Sequence, residues 1–236
     1  MRALDVRRLG LVRYGEALQM QRDLVEARRA GRVPDLLLLL QHPHVLTLGV
    51  RGDGGRSHVV AMPERLAELG VELFEAGRGG DVTYHGPGQV VGYPILDLRP
   101  DRCDVHRYVR DLEEVMIRVA GDHGLSASRV SGLTGAWVGA AKIGAIGVRI
   151  SRWITSHGFA FNVTTDLSYF GHIIPCGITN AGVTSLLDLT GKAIALEDVA
   201  ASAARHLGDV FGREMTGFGA EASRAEVEAI CERIPA

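Results

Sequence analysis

The sequence predicts an α/β fold in which helices and strands occur along the whole chain of 236 residues. Residues 36–40 are five consecutive leucines, a run that is too short for a buried helix and typical of a strand covered on both faces. Residues 104–119 place apolar side chains at helical spacing behind Asp104, which predicts an amphipathic helix with Asp104 as its N-cap. Three consecutive strands of one sheet are predicted over residues 135–138, 142–151 and 155–163, the last two forming an antiparallel hairpin.

The other predicted elements are shorter. A strand over residues 9–12 precedes a helix that ends at Gly31, and a second helix begins near Pro63. Residues 198–211 predict a helix near the C-terminus. A capping box over residues 223–226 predicts the start of the last helix.

Composition and charge exclude several classes of protein. The net charge of -2 provides no global field for nucleic acid, and no apolar run approaches the roughly 18 residues of a membrane span. Cys103, Cys176 and Cys231 are widely spaced, which argues against a disulfide framework or a zinc site and fits a reducing compartment. The N-terminal residues lack the apolar core of a signal peptide, so we expect a cytoplasmic protein without nucleic-acid or membrane partners. Cys103 is expected in a loop and Cys231 in the core.

Lys142 and Cys176 are the candidate catalytic residues. Only Lys142 and Lys192 among the 26 basic residues are lysine, and a lysine among apolar neighbours can exchange a proton where arginine cannot. Cys176 lies between Pro175 and Gly177, and this pattern predicts a turn that presents the thiol. The alternatives are a cysteine that is only a small core residue and a lysine whose ammonium reaches water past its own stem.

A glycine-rich block over residues 77–94 is interpreted as a pocket wall, with Arg78 and His85 as its polar groups. It lacks the endings that phosphate-binding or dinucleotide-binding loops require, and the alternative is a hairpin rich in turns. Residues 51–57 predict a polar loop that could act as a lid. His42 and His44 are interpreted as turn histidines rather than metal ligands, and His157 could either assist chemistry or hydrogen-bond within the sheet.

Several blocks, in order, resemble the lipoyl(octanoyl) transferase family, which transfers octanoyl groups from acyl carrier protein to protein lysines. The blocks are Gln41-His42-Pro43 with Thr47-Leu48-Gly49, residues 78–89 (RGGDVTYHGPGQ), Tyr93-Pro94-Ile95, residues 142–149 (KIGAIGVR), residues 157–162 (HGFAFN) and Pro175-Cys176-Gly177-Ile178.

The resemblance implies a single catalytic domain over residues 1–236, with a mainly helical C-terminal part over residues 190–236. It implies the fold shared by biotin and lipoate protein ligases, a mixed, largely antiparallel central sheet flanked by helices. It also implies that Cys176 carries the acyl group as a thioester and that Lys142 lowers the pKa of that thiol and acts as acid and base. The acyl pocket would be lined by Arg78, Gly79, Gly80, Asp81, Val82, Thr83, Tyr84, His85, Ala145, Ile146, Gly147, Gly158, Phe159 and Ala160.

By the same resemblance, the enzyme would need neither ATP nor a metal. The expected donor is octanoyl-acyl carrier protein, and the expected acceptors are the lipoyl domains of 2-oxoacid dehydrogenase complexes and the glycine cleavage H protein. A monomer is expected. The reaction would be the first step of endogenous lipoate biosynthesis.

Three rival functions remain open from the sequence. A lipoate or biotin ligase of the same fold would form an acyl-adenylate from ATP and would have no use for Cys176. A cysteine hydrolase or amidase would pair Cys176 with His85 or His157. A non-catalytic module that binds acyl carrier protein would keep the pocket and survive loss of Cys176 or Lys142. The ligase ranks first among these.

Overall fold

The computed structural model describes residues 2–51, 53, 55–174, 182–219 and 221–231. Its strands are β1 (Arg2–Leu11), β2 (Asp35–Gln41), β3 (Val45–Leu48), β4 (Glu72–Glu75), β5 (Thr83–His85), β6 (Gln89–Ile95), β7 (Ser128–Val130), β8 (Leu133–Val138), β9 (Ala141–Ser151), β10 (Ile154–Asn162), β11 (Gly182–Val183) and β12 (Arg213–Thr216). Its helices are α1 (Tyr14–Arg29), α2 (Pro63–Glu68), α3 (Val105–Asp122), α4 (Leu186–Thr190), α5 (Leu196–Phe211) and α6 (Arg224–Cys231).

Within the described residues, nine strands form a mixed sheet. Its order is β12-β1-β2-β6-β10-β9-β8-β7, and β11 pairs with the start of β9. The β1 pairings with β12 and β2 and the β9–β11 pairing are parallel, whereas the other neighbours run antiparallel. A separate three-stranded sheet has the order β4-β3-β5. The expectation of a mixed, largely antiparallel sheet flanked by helices is confirmed.

The five leucines of β2 show how the large sheet is covered on both faces. Leu37 and Leu39 face the core that contains α3 and α5, whereas Leu36, Leu38 and Leu40 face the core that contains α1 and α6. All five are buried because successive strand residues point to opposite faces. Each buried leucine side chain contributes about 1.5–3 kcal/mol relative to an exposed one. The predicted strand with two covered faces is therefore confirmed.

The predicted hairpin of β9 and β10 is also confirmed, and its turn has unusual residues. Arg152 and Trp153 adopt positive φ angles of 52° and 66°. Such angles match a two-residue hairpin turn whose twist suits the flanking strands, a position that usually holds Asn-Gly. The turn brings Gly147 opposite Gly158 and Ala145 opposite Ala160.

The glycine-rich block is not a hairpin, because its two strands belong to different sheets. β5 pairs with β3 in the small sheet, and β6 pairs with β2 and β10 in the large one. The block therefore connects the two sheets.

The structure differs from the sequence prediction in the start of β1 and in the exposure of Val105. β1 begins at Arg2 rather than near residue 9, because its first half pairs with β12. The C-terminal part contains this strand in addition to α5 and α6. Val105, the first of the apolar side chains from which the amphipathic helix α3 was predicted, is 45% exposed in the first turn of the helix, before the helix meets the core.

The predicted caps are confirmed. The Asp104 side chain accepts a hydrogen bond from Arg107 N, and Ser223 and Glu226 exchange the two hydrogen bonds of a capping box. Cys103 is an exposed free thiol in a loop. Among the described residues, no helix combines the length and apolar character needed to cross a membrane.

Candidate active site

A cavity of about 440 Å³ lies against β9 and β10. Small residues line it where the two strands pair, with Gly147 opposite Gly158 and Ala145 opposite Ala160. Phe159 also contributes to the wall, but its ring lies across Gly92 on the neighbouring strand, within 2.4 Å of where a Cβ of Gly92 would stand. The small residues therefore leave room for a ligand beside the sheet.

Two glycines of this wall have no space for a side chain. A Cβ on Gly158 would lie 2.2 Å from the Gly92 carbonyl oxygen, and a Cβ on Gly147 would lie 2.6 Å from Arg78 Cδ. The first contact is with backbone, which cannot move without disturbing the β6–β10 pairing. Glycine at these positions lets β6 and Arg78 approach closely.

Arg78 is buried in the opposite wall of the cavity and stabilises that wall by hydrogen bonds. It is 5% exposed, its Nη2 donates to Thr47 O at 2.7 Å and to Thr47 Oγ1 at 2.8 Å, and its Nη1 donates to Asp81 O at 2.8 Å. These bonds tie the glycine-rich loop to β3. Arg78 therefore clamps the loop in addition to lining the cavity.

Asp81 links the same loop to residues 55–58. Its Oδ1 accepts a hydrogen bond from Val82 N, and its Oδ2 lies 2.7 Å from His58 Nδ1. Asp53 accepts hydrogen bonds from the backbone of Gly55 and Ser57, which orders this turn. The segment predicted as a polar loop is thus attached to the cavity wall by the pair of His58 and Asp81.

His85 and His157 line the cavity as buried groups with lowered pKa values. Burial, with a smaller contribution from the charge of Arg78, lowers the pKa of His85 to about 3 and that of His157 to about 4. His85 Nδ1 lies 2.7 Å from Gln89 Oε1. His157 has a φ of 54°, and its N–H donates to Gln21 Oε1 at 2.7 Å. Both imidazoles are therefore neutral at pH 7.

His42 and His44 also make hydrogen bonds. His42 is fully buried, with Nδ1 2.7 Å from Val12 O and Nε2 2.7 Å from Tyr93 Oη. His44 Nδ1 lies 2.8 Å from Tyr84 Oη. In the described part of the chain, no three His, Cys, Asp or Glu side chains are grouped as a metal site would require.

Lys142 is half-buried in the cavity wall near the start of β9. Its Nζ lies 4.8 Å from the centre of the Trp137 ring, a cation–π distance. Its main chain pairs with β11, because Val183 is its partner in register and Thr184 N donates to Lys142 O at 3.0 Å. Cys176, the second predicted catalytic residue, lies outside the described residues.

His85 is connected to the pairing of β9 with β11 by a buried chain of hydrogen bonds. The sequence did not indicate this chain. Gln89 Nε2 donates to Asn162 Oδ1 at 2.9 Å, and Asn162 Nδ2 donates to Thr184 O at 3.0 Å. Gln89 and Asn162 are 73 residues apart in the chain, so no local pattern could have paired them. Both residues occur in the blocks that carry the family resemblance, which was the available signal.

The structure brings most of the predicted residues together. The cavity is lined by Lys142 and His157 together with Arg78, Gly79, Gly80, Asp81, Val82, Thr83, His85, Ala145, Ile146, Gly147, Gly158, Phe159 and Ala160. Tyr84 is the exception, because side chains alternate along β5 and its neighbours Thr83 and His85 take the cavity side. Its fully buried ring stacks on Tyr169 at 5.1 Å in the core under the small sheet.

Comparison with known proteins identifies the family. A model of the lipoyl protein ligase A/B catalytic domain matches residues 13–208. The chain belongs to this family. The octanoyltransferase of Solibacter usitatus is 51% identical over 215 residues, which cover 91% of this chain and 96% of that protein. The octanoyltransferase of Rubrobacter xylanophilus is 55% identical over 199 residues, which cover 84% and 89%.

Solved structures of lipoate and biotin protein ligases share the fold at low identity. A bipartite lipoate protein ligase from Thermoplasma acidophilum has a TM-score of 0.74 at 15% identity and covers 98% of this chain and 91% of its own. A lipoate-protein ligase A bound with ATP has a TM-score of 0.74 at 16% identity, with coverage of 97% and 93%. Biotin protein ligase from Aquifex aeolicus has a TM-score of 0.50 at 12% identity, with coverage of 90% and 70%. The expected fold and the expected acyltransferase class are confirmed.

Proposed function

We propose that this protein transfers an octanoyl group from octanoyl-acyl carrier protein to a specific lysine of lipoyl domains. The acyl group passes through a thioester on Cys176, and Lys142 acts as acid and base. The observation that carries this proposal is the position of Lys142 in the wall of a cavity lined by small and apolar residues. The identity of about half of all residues with proteins named octanoyltransferase supports the choice of acyl group.

The described residues on either side of Cys176 support the proposal that its thiol reaches this cavity. Two peptide units separate Cys176 from Ile174, so their Cα atoms are within about 7 Å in any conformation. Ile174 N donates to His58 O at 2.8 Å, and His58 in turn contacts Asp81 of the cavity wall. On the other side of Cys176 the chain returns to pair with Lys142 at Val183. The chain therefore passes close to the cavity wall before the segment that contains Cys176, and it lines the cavity after that segment.

The first half of the reaction forms the acyl-enzyme. The Cys176 thiolate attacks the carbonyl carbon of the octanoyl thioester and forms a new carbon–sulfur bond. The carbon–sulfur bond to the carrier protein breaks, and the thiolate of the carrier protein leaves and takes up a proton. The Lys142 ammonium stabilises the thiolate and can supply that proton. One thioester replaces another of similar energy, so the reaction requires no ATP.

The second half transfers the chain to the acceptor. The amine of the acceptor lysine attacks the Cys176 thioester, neutral Lys142 accepts the proton that this amine loses, and the Cys176 thiolate leaves. An amide replaces the thioester. The octanoyl chain contributes about 0.8 kcal/mol of binding for each methylene removed from water, which suits a cavity with an apolar wall.

The deciding experiment incubates the protein with an octanoyl thioester in the absence of ATP and measures the mass of the intact protein. We expect one octanoyl adduct that hydroxylamine removes and that Cys176→Ala abolishes. No adduct, or one retained in Cys176→Ala, would eliminate the covalent mechanism. A protein that modifies a lipoyl domain only when octanoate and ATP are supplied would instead be a ligase.

A further inference from the structure

A second cleft of about 420 Å³ lies behind the first cavity, between α1 and the turn end of the β9–β10 hairpin. His157 lines both spaces and therefore forms part of the wall between them. The proposed acyl transfer makes no use of this cleft.

Three arginines line the second cleft. Arg29 is paired, because its Nη1 lies 2.5 Å from Glu26 Oε1 and its Nη2 donates to Ser151 Oγ at 3.3 Å. Arg22 and Arg149 have no ion pair or side-chain hydrogen bond within the described part of the chain. Among the residues that the structure describes, these two guanidinium groups thus line the same space without a carboxylate partner.

The buried side of the cleft carries an amide donor that lacks an acceptor. Gln21 is 1% exposed, and its Oε1 is used by His157 N, but no group in the described residues accepts from its Nε2. A buried amide nitrogen without an acceptor carries a free-energy cost, because it has lost its hydrogen bonds to water. An oxygen of a bound ligand would remove this cost.

The excess of positive charge in the cleft favours an anionic ligand. Three arginines face two carboxylates, those of Glu26 and Asp23, and Asp23 Oδ1 already accepts from Gln19 Nε2 at 3.0 Å. The positive field reaches the neighbouring histidine, since Arg149 and Arg22 both lower the pKa of His157. Guanidinium groups match the oxygens of phosphates and carboxylates, and unpaired donors prefer an anionic acceptor.

We propose that this cleft binds a small anion whose phosphate or carboxylate group is held by Arg22, Arg149 and the Gln21 amide. The ligand would lie behind His157, on the side away from the acyl cavity. This inference is independent of the proposed acyl transfer.

The test titrates the full chain with inorganic phosphate and, separately, with succinate, at an ionic strength held constant with sodium chloride, and follows binding by calorimetry. We expect saturable binding of at least one of the two anions. Arg22→Ala and Arg149→Ala should each weaken it by about tenfold or more, because a hydrogen bond to a charged group contributes about 1.5–3 kcal/mol. Arg65→Ala removes the same charge from α2 and should leave the affinity unchanged.

The two anions distinguish the chemistry, since saturation by phosphate alone indicates a phosphate-bearing ligand and saturation by succinate alone a carboxylate-bearing one. A second readout follows the His157 imidazole by NMR, whose titration midpoint should rise when the anion neutralises the nearby arginines. Failure of both anions to saturate, or equal affinities in Arg149→Ala and Arg65→Ala, would overturn the proposal. Arg22 and Arg149 are both exposed, so we expect their alanine variants to fold. Thermal unfolding of each variant will check this.

Discussion

Lys142 is the residue on which the proposed chemistry depends most directly. Its ammonium lies over the Trp137 ring, and its backbone is paired with the strand that follows Cys176 in the chain. A cation–π contact favours the charged lysine, which suits stabilisation of a thiolate. The second half-reaction requires the same nitrogen to accept a proton, which arginine cannot do at usable pH.

We therefore expect Lys142→Arg to lose octanoyl transfer by a factor of about a hundred or more, the usual contribution of a general acid or base. Transfer to a purified lipoyl domain, followed by mass spectrometry, measures the effect. Lys192→Arg is the matched control, because Lys192 is the other lysine and is exposed. Near-normal turnover in Lys142→Arg would show that Lys142 contributes only its positive charge and does not transfer a proton.

Asn162 is a positioning residue in the proposed mechanism. Its side chain joins Gln89 to Thr184 O, and Thr184 N donates to Lys142 O, so it holds the segment after Cys176 against β9. Asn162→Ala should slow acylation of Cys176 by an octanoyl thioester by about tenfold or more. Removing it takes away the donor to Thr184 O and leaves Gln89 Nε2 with one longer bond, 3.3 Å to Tyr84 O. A buried polar group without a partner costs about 1–3 kcal/mol.

The control for Asn162→Ala is Thr165→Val, which removes a different buried hydrogen bond, from Thr165 Oγ1 to Gly88 O at 3.0 Å. Both variants should lower the unfolding midpoint, but only Asn162→Ala should slow acylation. Equal acylation rates in the two variants would show that Asn162 serves stability alone.

At the scale of the elements, the β9–β10 hairpin forms one wall of the cavity although its turn is strained. Arg152 is exposed and adopts a φ of 52°, a conformation that costs an ordinary side chain about 1–2 kcal/mol and asparagine less. Trp153 shares the turn, and its carbonyl accepts from Leu98 N at 2.9 Å, which anchors the turn to the segment after β6.

Arg152→Asn should raise the free energy of unfolding by up to about 1 kcal/mol, because asparagine tolerates the left-handed conformation. Urea unfolding followed by circular dichroism measures this change. Lys192→Asn, at an exposed residue outside the set with positive φ, should not stabilise the protein. If the Arg152→Asn protein is no more stable than the parent, the Arg152 side chain must make interactions that offset the cost of its left-handed conformation.

For the whole molecule, three neutral, buried histidines make stability depend on pH. Burial lowers the pKa of His42 to about 4, that of His85 to about 3 and that of His157 to about 4, whereas an unfolded histidine titrates near 6.5. Between these values the unfolded chain binds protons that the folded chain does not. The stabilisation is therefore complete above about pH 6.5 and is lost as the pH falls.

We expect the free energy of unfolding to drop by about 1.4 kcal/mol per pH unit for each of these histidines between about pH 6 and 4.5. Urea unfolding at pH 7.5, 6.0 and 5.0 measures the slope. Replacing the exposed His106 by glutamine should leave the slope unchanged. A protein equally stable at pH 7.5 and 5.0 would contradict the burial of neutral imidazoles.

Several elements and the family were predictable from the amino-acid sequence alone. The leucine run of β2, the amphipathic α3, the β9–β10 hairpin and the two caps rest on local periodicity and turn chemistry, and each was predicted in place. The family blocks named the residues that line the cavity. These features are local because backbone propensity and side-chain period act over a few neighbouring residues.

How these segments pack together became known from the three-dimensional structure. It placed Tyr84 in the core rather than the cavity, added β12 to the edge of the large sheet and joined Gln89 to Asn162 and Thr184. It also formed the second cleft, which brings Arg22 on α1 near Arg149 on β9. Each arrangement joins groups far apart in the chain, and such contacts depend on how complete elements pack rather than on the pattern of any one segment.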